Sequence, residues 1–433
     1  MRIRLYHARL ISFANGDAEL KENMQVGIEA GRILYVASDD DAIKDNYVWD
    51  EERDCQGNLL LPGFKNCHTH SAMTFLRSKA DDLPLHEWLN ETVFPAEAKL
   101  TAEDIYVFTK LAILEYLQSG VTGIFEMYLT PDSIAKACRE VGMRITMTGG
   151  VNNFSQSVEL LEQWVQEFNA HDDLVKFVPG FHAEYTCSKE LLERIASLAQ
   201  KYKMPVYAHI SETKKEVAEC KERYGMTPVA FLDSIGMFEY GGGGYHMVHL
   251  EEDDYEIIRK RKLYAITNPA SNCKLASGIA PVTKLLSEGI PVAIGTDGPA
   301  SNNALDFFRE MYLTSVLAKI RDEDAAALPA MEVLKMACHT GAHAMCTPEC
   351  DSIDAGKCAD LILLDLSQPN MQPLHNIGKN VVYAGSKSNV IFTMINGRIL
   401  YDKGEFAIGI TKEEIYAEAN RILERIFAQN RNE

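Results

Sequence analysis

The chain of 433 residues carries a formal net charge of −19, and it is long enough for one large α/β barrel with a smaller appendage, or for two to three ordinary domains. So acidic a balance argues against a nucleic-acid partner and against an anionic membrane surface, and it favours a small neutral or cationic ligand. No apolar stretch reaches transmembrane length, no signal peptide is read, and the ten cysteines stand at irregular intervals, as expected of reduced thiols in a cytoplasmic enzyme.

The first sixty residues alternate short strand-like runs with turn signals: RIRLYHARLISF, NMQVGIEAGRILYVAS and NLLLPGF. A similar texture returns late, in CADLILLDL and in NVIFTMINGRILYDKGEF, where Asn396-Gly397 is a strong hairpin signal. Two distant β segments with nothing else to pack on are expected to form one small β-sandwich, built from residues 1–58 and 351–433. An amphipathic helix around Lys412 to Gln429 closes the chain. The middle, residues 59–350, alternates short apolar strands with helical stretches such as AEDIYVFTKLAILEYLQSG and KELLERIASLAQKYKM. Eight candidate strands lie near LLLPGF, TGIFEM, RITMTG, VKFVPGF, PVYAHI, YHMVHL, LYAITN and PVAIGT. Eight such units predict a (β/α)8 TIM barrel, whose active site forms at the C-terminal ends of its strands. Cys346 and Cys350 are the closest cysteine pair, and with no second pair at zinc-site spacing they read as structural.

Nearly every unusual polar residue of this middle region falls where a strand ends. His68 and His70, at i and i+2, point to the same side of an extended segment after the first strand. His182 follows the fourth strand, His209 the fifth, His246 the sixth, Asn268 the seventh and Asp297 the eighth. One HxH pair alone is weak evidence for metal, whereas scattered histidines would not collect at one face of a barrel. His68, His70, His209 and Asp297 supply three nitrogens and one oxygen, a set suited to Zn²⁺ or Fe²⁺ that leaves room for water, whose pKa then falls toward neutrality. The fourth strand lacks a lysine near its end that could be carbamylated to bridge two ions, so one divalent metal is expected, Zn²⁺ with Fe²⁺ as the alternative. His249 is read as packing at the strand end or as support for its neighbours. His86, His171, His339, His343 and His375 have no such placement and take solvated or structural roles. Asn268 and Ser301 to Asn303 are candidates for the mouth, although loop polarity explains them almost as well.

Together PGFKNCHTHSAMT, AHISET, YHMVHL, NPASNCKLASGIAPV and GTDGPASNN resemble the amidohydrolase superfamily, in particular its methylthioadenosine/S-adenosylhomocysteine deaminase-like branch, which includes triazine hydrolases. The resemblance covers essentially the whole chain. It implies that His68, His70, His209 and Asp297 hold the metal, that Glu212 shuttles protons and that His246 orients the attacking water, so that Glu212, His246 and Asp297 are the candidate catalytic residues. A carboxyl group three residues past a metal ligand suits this work, since the ring nitrogen and the departing ammonia both need protons. Trp88, Glu97 and His182 match substrate-contacting positions, with Glu212 also facing substrate. An aromatic face can stack on a base and a carboxylate can accept both ribose hydroxyls; the plainer alternative has Trp88 anchoring its loop and Glu97 exposed. The branch members that accept S-adenosylhomocysteine carry arginines at and after the third strand, where this chain reads TGGVNNFSQSVELLEQ. The expected substrate is therefore an adenosine-type nucleoside, 5'-methylthioadenosine, 5'-deoxyadenosine or adenosine ahead of S-adenosylhomocysteine, and a homo-oligomer is expected. The alternatives are an aminohydrolase of a free purine, pterin or triazine, a dechlorinating triazine-type hydrolase, and a non-catalytic barrel.

Overall fold

In the computed structural model, which describes residues 1–13, 16–79, 81–83, 87–170 and 174–427, the alternation of the middle region becomes a ring of parallel strands. They are β1 (Phe64–Thr69), β2 (Val121–Met127), β3 (Arg144–Thr148), β4 (Val175–Val178, continuing past Pro179 as Gly180–Ala183), β5 (Val206–Ile210), β6 (Gly242–His246), β7 (Leu263–Thr267) and β8 (Val292–Ile294). One ladder runs from β1 into β4 and another from the second half of β4 to β8. The ring closes where the backbone N–H groups of Thr296 and Asp297 donate to the His68 carbonyl at 3.1 and 3.0 Å. A (β/α)8 barrel results, with helices between the strands. Ala102–Gln118 begins at a reciprocal Thr101–Asp104 cap and Lys189–Tyr202 at a Ser188 cap, which satisfies amide groups that a helix start would otherwise leave bare.

Phe125, Tyr207, Tyr245 and Ile266 fill the interior of the ring. Residues near the starts of the strands seize one helical run. Tyr207 Oη donates to the Ala344 carbonyl at 2.7 Å, Thr146 Oγ1 to Met345 at 2.7 Å and Lys176 Nζ to Cys346 at 2.8 Å. Residues 330–346 thus form the floor of the barrel, opposite the C-terminal ends of its strands.

The N- and C-terminal β segments share one nine-stranded sheet. Arg2–Ser12 pairs with Glu19–Glu29 antiparallel and with Leu59–Pro62 parallel, and Leu59–Pro62 pairs antiparallel with Leu361–Leu364. Ala30 and Gly31, and again Asn396 and Gly397, take positive φ at the two hairpin turns, the backbone that such two-residue turns require. Alternate residues on these strands, among them Ile3, Leu5, Leu361, Leu363, Phe392 and Met394, bury into a cluster separate from the main core, each worth about 1.5–3 kcal/mol of transfer free energy. At the seam between sheet and barrel, Arg144 Nε meets Asp360 Oδ2 at 2.6 Å, with both side chains buried. The last helix, Lys412–Phe427, lies along Ala102–Gln118, where Arg425 pairs with Asp104. Among the described residues no helix is long and apolar enough to cross a membrane.

Two strands differ from expectation. The LLLPGF run does not open the barrel: Leu59–Pro62 belongs to the nine-stranded sheet, and the first barrel strand starts at Phe64. The seam thus lies at Gly63, where a Cβ would come within 2.0 Å of the Thr122 side chain, rather than before Leu59. Both runs are fully buried, so apolarity alone does not tell them apart. The sixth strand is Gly242–His246 rather than YHMVHL. Glycines hold it because a Cβ at Gly243 would meet the Tyr207 ring at 2.6 Å and one at Gly244 the Met247 side chain at 2.4 Å. His86, His171 and the expected end of the last helix at Gln429 lie outside the described residues.

Candidate active site

At the C-terminal ends of the strands the expected side chains converge. His68 Nε2 and His70 Nε2 stand 3.3 and 3.2 Å from Asp297 Oδ1. One donor atom each from His68, His209, His246 and Asp297 fall within 4.8 Å of one another. The opposite edge of each outer ring is tied down: His70 Nδ1 donates to the Met127 carbonyl, His209 Nδ1 to the His182 carbonyl at 2.7 Å, and His246 Nδ1 to Asn272 Oδ1 at 2.7 Å. That arrangement turns Nε2 of each ring inward. Asp297 is oriented the same way, its Oδ2 accepting from Ser271 Oγ at 2.5 Å and Ser301 Oγ at 2.9 Å.

His68 tests whether these residues fit a cation. It is fully buried, stacked on Tyr245 at 3.8 Å, and neither ring nitrogen has a hydrogen-bond partner, an expense that a buried polar group avoids unless something else satisfies it. Burial drives its pKa down to about 3 and that of His182 to about 4, and holds His209 well below the ordinary imidazole value. Burial opposes ionisation of Asp297, yet His68 and His70 hold its carboxyl well below the usual carboxylate range. Against burial, Asp297 holds the His70 pKa up to about 9, a proton that a bound cation would displace, while the neutral imidazoles of His68 and His209 beside an ionised carboxylate suit a divalent transition metal.

Glu212 stands beside the cluster, its Oε2 3.9 Å from His246 Nε2 and its Oε1 accepting from Ser277 Oγ at 3.0 Å. Buried Glu216 grips the loop that carries it, taking the Ser211 N–H at 2.6 Å and the Glu212 N–H at 2.7 Å. Ser211, His246, Met247 and Asp297 all have positive φ, a conformation costing about 1–3 kcal/mol at each non-glycine position. Such strain gathers where chemistry dictates the geometry.

A cavity of about 690 Å³ opens over this cluster, lined by Trp88, Glu97, Tyr128, His182, Tyr185 and Gln156 among others. Trp88 is buried in the apolar cluster with Val93 and Ala96 and also reaches the cavity, so it both anchors its segment and offers a surface to a ligand. Burial pushes the Glu97 carboxyl up to about 7, tempered by Tyr128. No lysine or arginine lines the cavity among the described residues. Arg144, the cation nearest in sequence to the third strand's end, is held by Asp360 at the seam. Asn268 does not line the mouth: it is fully buried, its Nδ2 3.4 Å from His246 Nδ1. Nor do Ser301 to Asn303, since Ser301 holds Asp297, Asn302 bonds the Thr296 carbonyl and Asn303 bonds Asp81.

A model of the amidohydrolase family matches residues 59–400. The chain belongs to the amidohydrolase family. A 5-methylthioadenosine/S-adenosylhomocysteine deaminase of Thermoanaerobacter pseudethanolicus is 38% identical over 416 residues, covering 94% of this chain and 95% of that one. A 5'-deoxyadenosine deaminase of Methanothermobacter thermautotrophicus is 39% identical over 362 residues, 82% and 84% of the two chains. The crystal structure of an adenosine deaminase from Xanthomonas campestris with bound zinc superposes with a TM-score of 0.93 at 32% identity, covering 98% of each chain.

Within this amidohydrolase several residues that support the site carry no motif of their own. Glu216, Asn272, Ser271 and Ser277 are ordinary residue types, and only their contacts give them work. His249 does support its neighbours: its Nε2 donates to the carbonyl of Ser277 at 2.7 Å, and Ser277 in turn holds Glu212.

Proposed function

We propose that the protein is a metal-dependent hydrolytic deaminase of adenosine-type nucleosides, converting them to the inosine analogue and ammonia. The observation that carries this reading is the placing of Glu212 between a cation-ready histidine–aspartate cluster and a cavity that is aromatic and, among the described residues, free of lysine and arginine. The relatives' names support it. His68, His70, His209 and Asp297 would hold one divalent ion, and the donor set suits Zn²⁺. An ion bound there lowers the pKa of water to about 7 and so makes a nucleophile available at neutral pH.

The remaining work belongs to the chain. Glu212 takes the proton of the attacking water and delivers it to the ring nitrogen beside the amino-bearing carbon, while the water oxygen bonds to that carbon. His246, fixed by Asn272, orients the water through Nε2. Glu212 then passes the second water proton to the amino group, the C–N bond breaks and ammonia leaves. This need for protons favours an amine over a halide as leaving group. Trp88 offers its ring to the base, Glu97 accepts from the ribose hydroxyls and His182 faces the substrate. With ten free thiols, eight of them buried, we read the protein as cytoplasmic, and we read the nine-stranded sheet, which encloses its own core, as a small β-sandwich.

With no lysine or arginine lining the cavity among the described residues, the homocysteine carboxylate lacks a guanidinium or ammonium partner, and a lost charge-assisted contact of about 1.5–3 kcal/mol predicts a roughly tenfold to hundredfold preference for neutral 5'-substituted adenosines. Measuring kcat/KM for 5'-methylthioadenosine, 5'-deoxyadenosine, adenosine and S-adenosylhomocysteine tests it. Equal or better use of S-adenosylhomocysteine refutes the specificity, and no activity on any adenosine refutes the assignment.

A further inference from the structure

A second group of metal-binding side chains stands at the opposite end of the barrel. His339 and His343 lie one helical turn apart on the floor, in the continuous run Ala330–Lys335, Met336–Thr340 and Gly341–Ala344, so both rings project on one side. Their ring centres are 4.7 Å apart. Asp351 meets both, its Oδ2 lying 3.2 Å from His339 Nδ1 and 2.9 Å from His343 Nε2. The donor atoms of all three residues fall within 4.8 Å of one another.

We propose that His339, His343 and Asp351 bind a divalent transition-metal ion at the barrel floor, independently of the catalytic site. Donor atoms around a tetrahedral ion with bonds of about 2.0–2.1 Å stand about 3.3 Å apart, close to the spacing found here. His339 Nδ1 is buried and close to Asp351 Oδ2 yet makes no hydrogen bond, whereas His343 Nε2 hydrogen-bonds that same oxygen at 2.9 Å; an ion between the three groups satisfies the idle nitrogen and takes the place of the His343 proton. Two imidazoles and a carboxylate select Zn²⁺, Ni²⁺ or Cu²⁺ over Mg²⁺ or Ca²⁺. The His343 side chain is 38% exposed, which gives an ion its way in. Lys357 Nζ lies 2.8 Å from the other Asp351 oxygen. It keeps that carboxylate to a single donor and weakens binding by repulsion. Two residues past Asp351, the Ile353 N–H donates to Ser12 Oγ at 3.0 Å, so an ion here clamps the floor helix to the strand connection of the nine-stranded sheet.

The test uses enzyme already loaded with its catalytic metal. Zn²⁺ is titrated in, bound metal per chain is measured after equilibrium dialysis, and Tm is followed by calorimetry. Wild type is expected to take up one further equivalent and to gain Tm, as binding to the folded state alone requires. His343→Ala should lose both while deaminase turnover per chain stays unchanged, and Lys357→Met should bind the added ion more tightly. Uptake of no further equivalent by wild type overturns the proposal. So does a further equivalent retained in both His343→Ala and His339→Asn, or an affinity unmoved by Lys357→Met.

Discussion

Each end of the barrel carries two histidines that share one aspartate oxygen, at 3.2–3.3 Å at the mouth and 2.9–3.2 Å at the floor. The surroundings differ. At the mouth the outer rings are braced by backbone carbonyls and Asn272, the backbone is strained at four positions, an acid stands alongside and a cavity opens above. At the floor the rings sit on one helical run whose Met336–Thr340 turn is π-helical, a lysine stands beside the aspartate, and nothing among the described residues prepares a substrate. A shared donor set can therefore bind an ion in either place, but reactivity needs the acid, the braced rings and the space that only the mouth provides.

The hardest test of that contrast pairs His209→Ala with His343→Ala. The first should lose the catalytic metal and with it detectable ammonia release, whereas the second should turn over normally; equal loss in both would erase the distinction. Glu212→Gln should keep the metal, as checked by elemental analysis, yet lower kcat by about 10²–10⁴-fold because the amide cannot carry the proton. An enzyme with normal turnover after that change would remove Glu212 from the mechanism. Arg144→Met leaves Asp360 buried without its partner and should cost about 3–5 kcal/mol in urea unfolding, with KM for each nucleoside unchanged, since this cation serves the seam and not the cavity. Asn272→Ala frees the His246 ring, and a loss of about 10–100-fold in activity is expected, read from kcat at saturating metal. If Asn272 can be removed without effect, bracing is not what separates mouth from floor.

Much of this contrast is visible in the sequence at the mouth and very little at the floor. His68, His70, His209 and Asp297 announce themselves because each stands in or just past the C-terminal end of an apolar strand, and the barrel converts position along a strand into position in space. The same logic misplaced the first strand, since Leu59–Pro62 and Phe64–Thr69 are equally apolar and only pairing partners distinguish them. It also misplaced the sixth, because Gly242–Gly244 lacks the branched and aromatic residues by which strands are recognised. His339 and His343 follow no strand and so read as solvated or structural, and Asp351 joins them only through the turn after the floor helix. Glu216, Ser277 and Asn272 act through one or a few well-aimed contacts, and a residue type does not reveal its aim.

The pairing of Leu59–Pro62 with Leu361–Leu364 has a consequence for how the molecule is made. About 300 residues separate the partners, so at about 5–20 residues per second a ribosome needs roughly 15–60 s to deliver the second strand after the first. Throughout that interval the first five strands of the sheet present an unpaired apolar edge at Leu59–Pro62, which is the kind of surface that captures other nascent chains. The barrel, completed earlier, must wait for its lid of sheet. A circular permutant opened at the exposed Gly225, with the original termini joined by a flexible linker, would cut the separation of the two strands from about 300 residues to about 130 plus the linker, and its yield during synthesis would report the cost of the delay.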